Sequence, residues 1–473
     1  MINTGERTVK KVIKLIALIL SMITILSFAA CNTADGGVGS SSGAAEPSSP
    51  SESKPESTPK PTESSKPSES QGESTPLATP GESTPLETPE ITPPAQDPND
   101  PFYKYRSNIV YGTGNNSMVS SVNGNKPEIA TYRMVVPVQE TGEFEYSLYF
   151  SNNIDSCSNG NRNYPDMPTA SYKILYAALR TTIDPKAEIS IMEPTELTFD
   201  GKKTKTVAPG ETFWSDPVTF MVDDGFYLIF EWTVEFTKIP STIVASTYYT
   251  YKSSLYGEDL PEVFTDKIGT VPLPDLIGCT RGDDTRIAFI GDSITMGTGS
   301  GAYQNSFWVK QIADRLGNGY SVWNLGNDSA RVDDVVTGTS FKEKIKHVDV
   351  LSICMGINDI ASGVRGQGAA SHTDVCNDIA AVAKMAEEAG AKVIIFSIPP
   401  FNLTGNKKMT WEMANVMLKE LAEEKGYDFF DFAAVLGDPS DPSRCLYGDH
   451  PNAEGCTAVA DAFMESGILE PKE

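Results

Sequence analysis

Ser293, Gly326, Asn358 and His450 lie up to 157 positions apart, yet each follows a short apolar run of one kind. After "RIAFI" comes "GDSIT", with Ser293. After "YSVWNL" comes Gly326, then Asn327 and Asp328. After "VDVLSIC" comes "MGIND", with Asn358. Downstream of "YDFFDF" comes "GDHPN", with His450, one of only three histidines in 473 residues. Together these residue types can perform acyl transfer. A serine hydroxyl is a nucleophile only when a base takes its proton, and imidazole is the natural base. The carbonyl oxygen of the acyl group becomes an anion in the tetrahedral intermediate and needs donors already in place. The backbone N–H of Ser293, the backbone N–H of Gly326 and the side-chain amide of Asn358 would supply three. Glycine at 326 would let the backbone come close. No Cys/His cluster has zinc spacing, so neither a metal nor a cofactor is expected. His347 precedes a strand at the opposite edge and His372 sits at a helix start, and both are expected to be solvated.

For four loops to converge, their strands must lie side by side. "RIAFI", "YSVWNL", "VDVLSIC", "KVIIFSI" and "YDFFDF" are short, almost wholly apolar runs, as buried parallel strands are. Helical patterns alternate with them: Trp308, Ile312 and Leu316 share one face, Val375, Ile379, Val382 and Ala386 another, and Ala414, Met417, Leu418 and Leu421 a third. Strands alternating with helices predict a doubly wound α/β sheet over 281–473, whose chemistry gathers beyond the carboxyl ends of the strands.

The base must itself be oriented, since the nitrogen facing away from serine needs an acceptor. Asp449 is the nearest acid. Neighbours along an extended chain point to opposite sides, which argues against Asp449 and leaves a backbone carbonyl between Asp438 and Gly448, or an acid brought in by folding. On that reading Asp449→Asn is expected to cost less than about tenfold, against about 10⁴ for loss of an orienting aspartate.

The order and spacing of "GDSIT", Gly326, "GIND" and "HPNAEG" resemble the four sequence blocks of the SGNH hydrolases, the GDSL esterase/lipase family. The resemblance implies a flavodoxin-like three-layer α/β/α fold and hydrolysis of esters. It also implies Ser293 as nucleophile, His450 as base, and Ser293, Gly326 and Asn358 as the oxyanion hole. One departure stands out: the family has an aspartate three residues before the histidine, where this chain has Tyr447.

From 101 to 280 the pattern changes. Runs such as "TYRMVVPVQ", "EFEYSLYFSN" and "GFYLIFEWTVEF" are rich in Val, Ile, Tyr, Phe and Thr and are separated by Gly, Pro, Asn and Asp, which predicts an all-β sandwich. "FWSDPVTFMV" resembles the jelly-roll-like domain that precedes the catalytic domain in some secreted acyl esterases acting on polysaccharides. Trp214 and Trp232 could stack on a sugar, but sandwich-core aromatics are the commoner use.

The first hundred residues cannot add to a core. Arg7, Lys10, Lys11 and Lys14 precede an uncharged apolar run ending "LSFAAC", which reads as an export signal, residues 1–31, with Cys31 as a lipidation site. Residues 32–100 are Ser, Pro, Thr, Glu and Gly, with "GESTPLATP" followed by "GESTPLETP". So little apolar surface predicts a disordered tether reaching between roughly 45 Å as a coil and about 200 Å extended. The net charge of -25 argues against binding nucleic acid or an anionic membrane through charge, and a membrane is expected as partner only through a lipid anchor. The six cysteines after Cys31, an even count, permit disulfides, though Cys354 reads as a buried free thiol. The sequence-level expectation is an exported serine esterase, at the bacterial cell surface or secreted, whose partner is an acylated polysaccharide or another ester. Its rivals are a lipase or lysophospholipase and a non-catalytic carbohydrate-binding surface lipoprotein.

Overall fold

The computed structural model describes residue 97 and residues 99–472, apart from 125, 157–166, 244–247, 283–284, 302–304, 363–368 and 447. The export signal, Cys31, nearly all of the Ser/Pro-rich segment, and Tyr447 lie outside the described residues.

Two antiparallel sheets come first. One carries β1 (Glu128–Val136), β3 (Tyr172–Thr182), β4 (Tyr227–Phe236) and β5 (Tyr249–Ser253) in the order β5-β1-β4-β3. The other is built on β2 (Gly142–Ser151) and β6 (Leu276–Cys279), which pair with each other. Aromatic side chains join the two: the ring of Phe150 on β2 lies 5.5 Å from that of Trp232 and 6.2 Å from that of Phe230 on β4. Both Trp214 and Trp232 pack among other aromatic side chains, and Trp232 lies between the sheets. Trp232 is buried and its Nε1–H donates to the Pro272 carbonyl at 3.1 Å. Trp214 packs against Phe102, Tyr105 and Tyr149.

The α/β part is a parallel sheet of β7 (Thr285–Gly291), β8 (Tyr320–Gly326), β9 (Val350–Cys354), β10 (Lys392–Phe396) and β11 (Asp428–Phe430). Its order is β8-β7-β9-β10-β11, a flavodoxin-like arrangement in which the order reverses at the first strand. The five runs expected to be strands are these five strands. Register matters most at their ends. Gly291 pairs with Gly326 on one side and with Cys354 on the other. Three strands therefore finish level, and the loops after them open at one edge.

Helices cover both faces. α1 (Ser293–Met296), α2 (Trp308–Leu316), α3 (Val332–Thr337), α4 (Ser340–Ile345), α5 (Ile357–Ser362), α6 (His372–Glu388), α7 (Gly405–Lys425) and α8 (Ala453–Glu465) follow in chain order. Trp308, Ile312 and Leu316 on α2 are fully buried, and each such side chain contributes about 1.5–3 kcal/mol by leaving water. Trp308 also donates its Nε1–H to the Ile294 carbonyl at 3.0 Å, so the core residue of α2 pins the short helix that begins at Ser293.

Cys354, Cys376, Cys445 and Cys456 are buried free thiols, and Cys279 is buried in the β region. His347 departs from the expectation of a solvated side chain: its ring stacks on Phe102 at 4.3 Å and its Nδ1 lies 3.4 Å from Asp100. Burial, the largest influence, holds its imidazole below the usual value despite that carboxylate. His372 opens α6 behind the N-cap Ser371.

Candidate active site

Glycine, a cap and a short helix set Ser293. A Cβ on Gly291 would fall 1.9 Å from Thr295 Oγ1 and 2.8 Å from the Cys354 carbonyl, so only glycine lets the chain turn from β7 into α1. Asp292 caps that helix by accepting the Ile294 N–H at 2.9 Å. It is fully buried, and burial pushes its carboxyl up to about 6 despite the Ile294 bond and the nearby His450. Ser293 is the first residue of α1 and is half-buried among buried neighbours.

Across the cleft, β12 (Cys445–Leu446) and β13 (His450–Pro451) form a small hairpin in which Leu446 pairs with His450. This hairpin delivers the imidazole: His450 Nε2 lies 2.9 Å from Ser293 Oγ. The other ring nitrogen, Nδ1, lies 2.8 Å from Asp449 Oδ1. The expectation that an adjacent residue must face away fails here, for a visible reason. Asp449 is in the hairpin turn, not in extended chain: Gly448 has φ 76° and the Asp449 N–H donates to the Leu446 carbonyl at 3.1 Å. The carboxylate folds forward over its own successor, and Oδ1 also accepts the His450 backbone N–H at 2.7 Å. One oxygen thus fixes both the backbone and the ring of the base.

Charge follows from that arrangement. Burial, the largest influence, disfavours the imidazolium. The hydrogen bond and charge of Asp449, with the carboxylates of Asp292 and Asp328, outweigh it and hold His450 above its usual value. On the remaining side Gly299, at φ 93°, packs on the histidine itself; a Cβ there would lie 2.8 Å from His450 Cβ.

The donors differ in part from expectation. Gly326 ends β8 level with Gly291, but its N–H donates to the Asn324 side-chain oxygen at 2.8 Å. Its missing side chain makes room for protein, not for a ligand: a Cβ would fall 2.3 Å from the Met296 nitrogen. Gly326 is therefore the seat of α1, and its amide is already engaged. The chain then turns through Asn327–Ala330, closed by the Ala330 N–H to the Asn327 carbonyl at 3.0 Å. Ser329 within this turn holds φ 56°, a left-handed conformation uncommon for any residue other than glycine. Asn358, near the start of α5, is half-buried and donates one amide proton to the Ala330 carbonyl at 3.1 Å; among the described residues its second proton has no acceptor. Its neighbour Asp359 is buried and accepts the Val332 N–H at 3.3 Å at the start of α3. Burial pushes that carboxyl up to about 7, against the pull of the Val332 bond and Arg331.

The structure brings Ser293 and His450 together and bonds Asn358 to the turn at Ala330; sequence reasoning missed the 327–330 turn. The Asn-Asp-Ser string was the only signal there, since such residues favour turns and tolerate left-handed backbone. It also misjudged the side chain of Asp449.

The GDSL-like lipase/acylhydrolase family model matches residues 289–458, which contain all of these side chains. No curated protein matches the chain. Solved structures similar to the chain include a GDSL-like lipase from Bacteroides thetaiotaomicron, 22% identical, with 39% of this chain and 87% of that chain covered and a TM-score of 0.31. A carbohydrate acetylesterase from Sinorhizobium meliloti is 18% identical, with 39% and 100% covered and a TM-score of 0.32. A catalytic mutant of an acetylxylan esterase from Geobacillus stearothermophilus is 20% identical, with 41% and 98% covered and a TM-score of 0.35. Residues 289–458 are a domain of the GDSL-like lipase/acylhydrolase family, and this chain is accordingly an ester-hydrolysing enzyme.

Proposed function

We propose that the protein is an exported serine esterase that removes small acyl groups, most simply acetyl, from a polysaccharide. One observation carries the mechanism: the unbroken line Ser293 Oγ, His450 Nε2, His450 Nδ1, Asp449 Oδ1, with steps of 2.9 Å and 2.8 Å. Ser293 Oγ attacks the ester carbonyl carbon while its proton passes to His450 Nε2. The carbonyl electron pair moves onto oxygen, where the Ser293 N–H, the free Asn358 amide proton and the turn at Ser329 are the donors. The intermediate collapses as Nε2–H protonates the departing sugar oxygen. Water, deprotonated by the same nitrogen, then releases the acid and restores Ser293. Asp449 accepts the Nδ1–H throughout and stabilises the imidazolium without taking the proton.

The preference for a small acyl group is supported by the way Gly299 closes directly on His450 and by the polar, glycine-rich character of the segment after α1. The glycan preference is supported by the exported setting read from residues 1–31 and by the β region. Acid released from a panel of acetylated glycans, short-chain esters and lipids tests both. Acetate esters are expected to exceed octanoate esters in kcat/KM. A preference for octanoate would favour the lipase reading instead.

A further inference from the structure

The segment Tyr111–Asn116 comes from the antiparallel part of the chain, yet it lies along the end of β8 and against Met296 of α1, the helix that begins at Ser293. Two glycines permit the approach. A Cβ on Gly114 would fall 2.5 Å from Leu325 Cδ2 and 2.9 Å from the Asn324 carbonyl oxygen; one on Gly112 would fall 2.6 Å from Met296 Cγ on α1. Two asparagines make the polar joints. Asn115 donates its side-chain amide to the Leu325 carbonyl at 2.8 Å, and Asn327 donates its own to the Asn116 carbonyl at 3.4 Å. All three of Asn115, Asn116 and Asn327 are buried.

Behind this segment sits a buried ionic cluster. Lys344 of α4 reaches Asn115 Oδ1 at 2.8 Å, Asp275 at 2.9 Å and Asp155 at 3.6 Å, and also bonds the Gly114 carbonyl. Asp155 in turn accepts the Asn116 N–H at 2.6 Å, and Asp275 accepts the Asn116 side-chain amide at 3.2 Å. Burying one cation with two acids is a poor way to gain stability, because desolvation offsets the attraction. What the cluster does achieve is directional: it turns the Asn115 amide onto the Leu325 carbonyl, and it holds Asn116 by its N–H and side chain so that its backbone carbonyl faces Asn327, where β8 leads into the 327–330 turn.

We infer that Tyr111–Asn116 is a positioning strap, through which the β region holds the Asn327–Ala330 turn, and with it Asn358, where the oxyanion of the tetrahedral intermediate forms. This rests on the serine-esterase reading above. Its residues touch no reacting atom; they act through Leu325, Asn327 and Ala330. Donors that matter only in the transition state change kcat rather than KM when displaced.

The test compares the full chain with Asn115→Ala and with Gly114→Ala, which disturbs the strap without removing a charge or a polar side chain. Active sites are first titrated with a fluorophosphonate, so that rates refer to folded, competent molecules only. With p-nitrophenyl acetate, kcat per titrated site is expected to fall about tenfold or more in each variant, below the 10²–10³ of losing a donor outright, with KM unchanged within about twofold. A boronic acid, which forms a tetrahedral adduct on serine, is expected to lose affinity by the same factor as kcat. Values of kcat and boronate affinity within about twofold of wild type in both variants would overturn the inference. So would loss of the fold in both, since the strap would then carry stability and not position. Failure of the fluorophosphonate to label Ser293 in the wild-type chain would instead sink the serine-esterase reading.

Discussion

The reactive residues are half-buried side chains held by buried ones, and the charge on His450 is the most sensitive of their properties. His450 acts as a base only when neutral, so activity falls as pH drops through its pKa. That pKa is held above the usual 6.5 by Asp449, working against burial. The acid limb of kcat/KM is therefore expected above pH 6.5. Asp449→Asn removes both the hydrogen bond and the charge, so the limb moves to lower pH, while kcat falls by about 10³–10⁴ because the wrong tautomer is favoured. A pH–rate series on both proteins measures the two effects together. A loss below tenfold with an unmoved limb would return the orienting role to another group. That smaller loss is what alternation along a strand led the sequence to suggest. The rule holds for extended chain, and the glycine turn at 448 lies outside its reach. Ser293 and Asn358 stood out because each follows a strand of the parallel sheet, and His450 because it is one of only three histidines and precedes a Pro-Asn pair. The engaged amide of Gly326 and the left-handed Ser329 were not, because a backbone hydrogen bond and a φ angle leave little trace in residue type.

At the level of elements, the site depends on α1 being pressed onto the ends of β7 and β8 with no side chain between. Gly326→Ala places a Cβ 2.3 Å from the Met296 nitrogen and 2.7 Å from the Thr295 carbonyl carbon. Both are backbone atoms, which cannot rotate aside. The substitution is expected to destabilise the fold by about 1–3 kcal/mol and to lower kcat by tilting the helix that carries Ser293. Thermal unfolding and steady-state kinetics check the two halves separately. An alanine variant with wild-type Tm and kcat would show that α1 does not rest on this strand end. The five strands and the three helical faces were readable from apolar runs and 3.6-residue spacing, because burial on both faces leaves a parallel strand little choice of residue. The strap at Tyr111–Asn116 was not readable. "YGTGNNS" looks like any glycine-rich separator until the strand it lies against is known.

For the molecule as a whole, the sequence describes more than a catalytic domain. We propose that residues 1–31 are an export signal and that a lipid on Cys31 holds the enzyme out from a membrane, a reading that the long proline-rich segment suits. Two acyl chains anchor stably where one is marginal. Cys31→Ser is expected to abolish incorporation of a labelled fatty acid and to release the protein from the membrane fraction; unchanged labelling would contradict the anchor. The claim on which the rest depends is narrower, that Ser293 is a nucleophile activated by His450. Peptide mapping after reaction with a fluorophosphonate measures it directly. The account predicts a single adduct on Ser293, no adduct in the His450→Ala variant, and hydrolysis of acetate esters reduced by several orders of magnitude in Ser293→Ala. Ester hydrolysis within tenfold of wild type in Ser293→Ala, or an adduct on a different residue that abolishes activity, would contradict it.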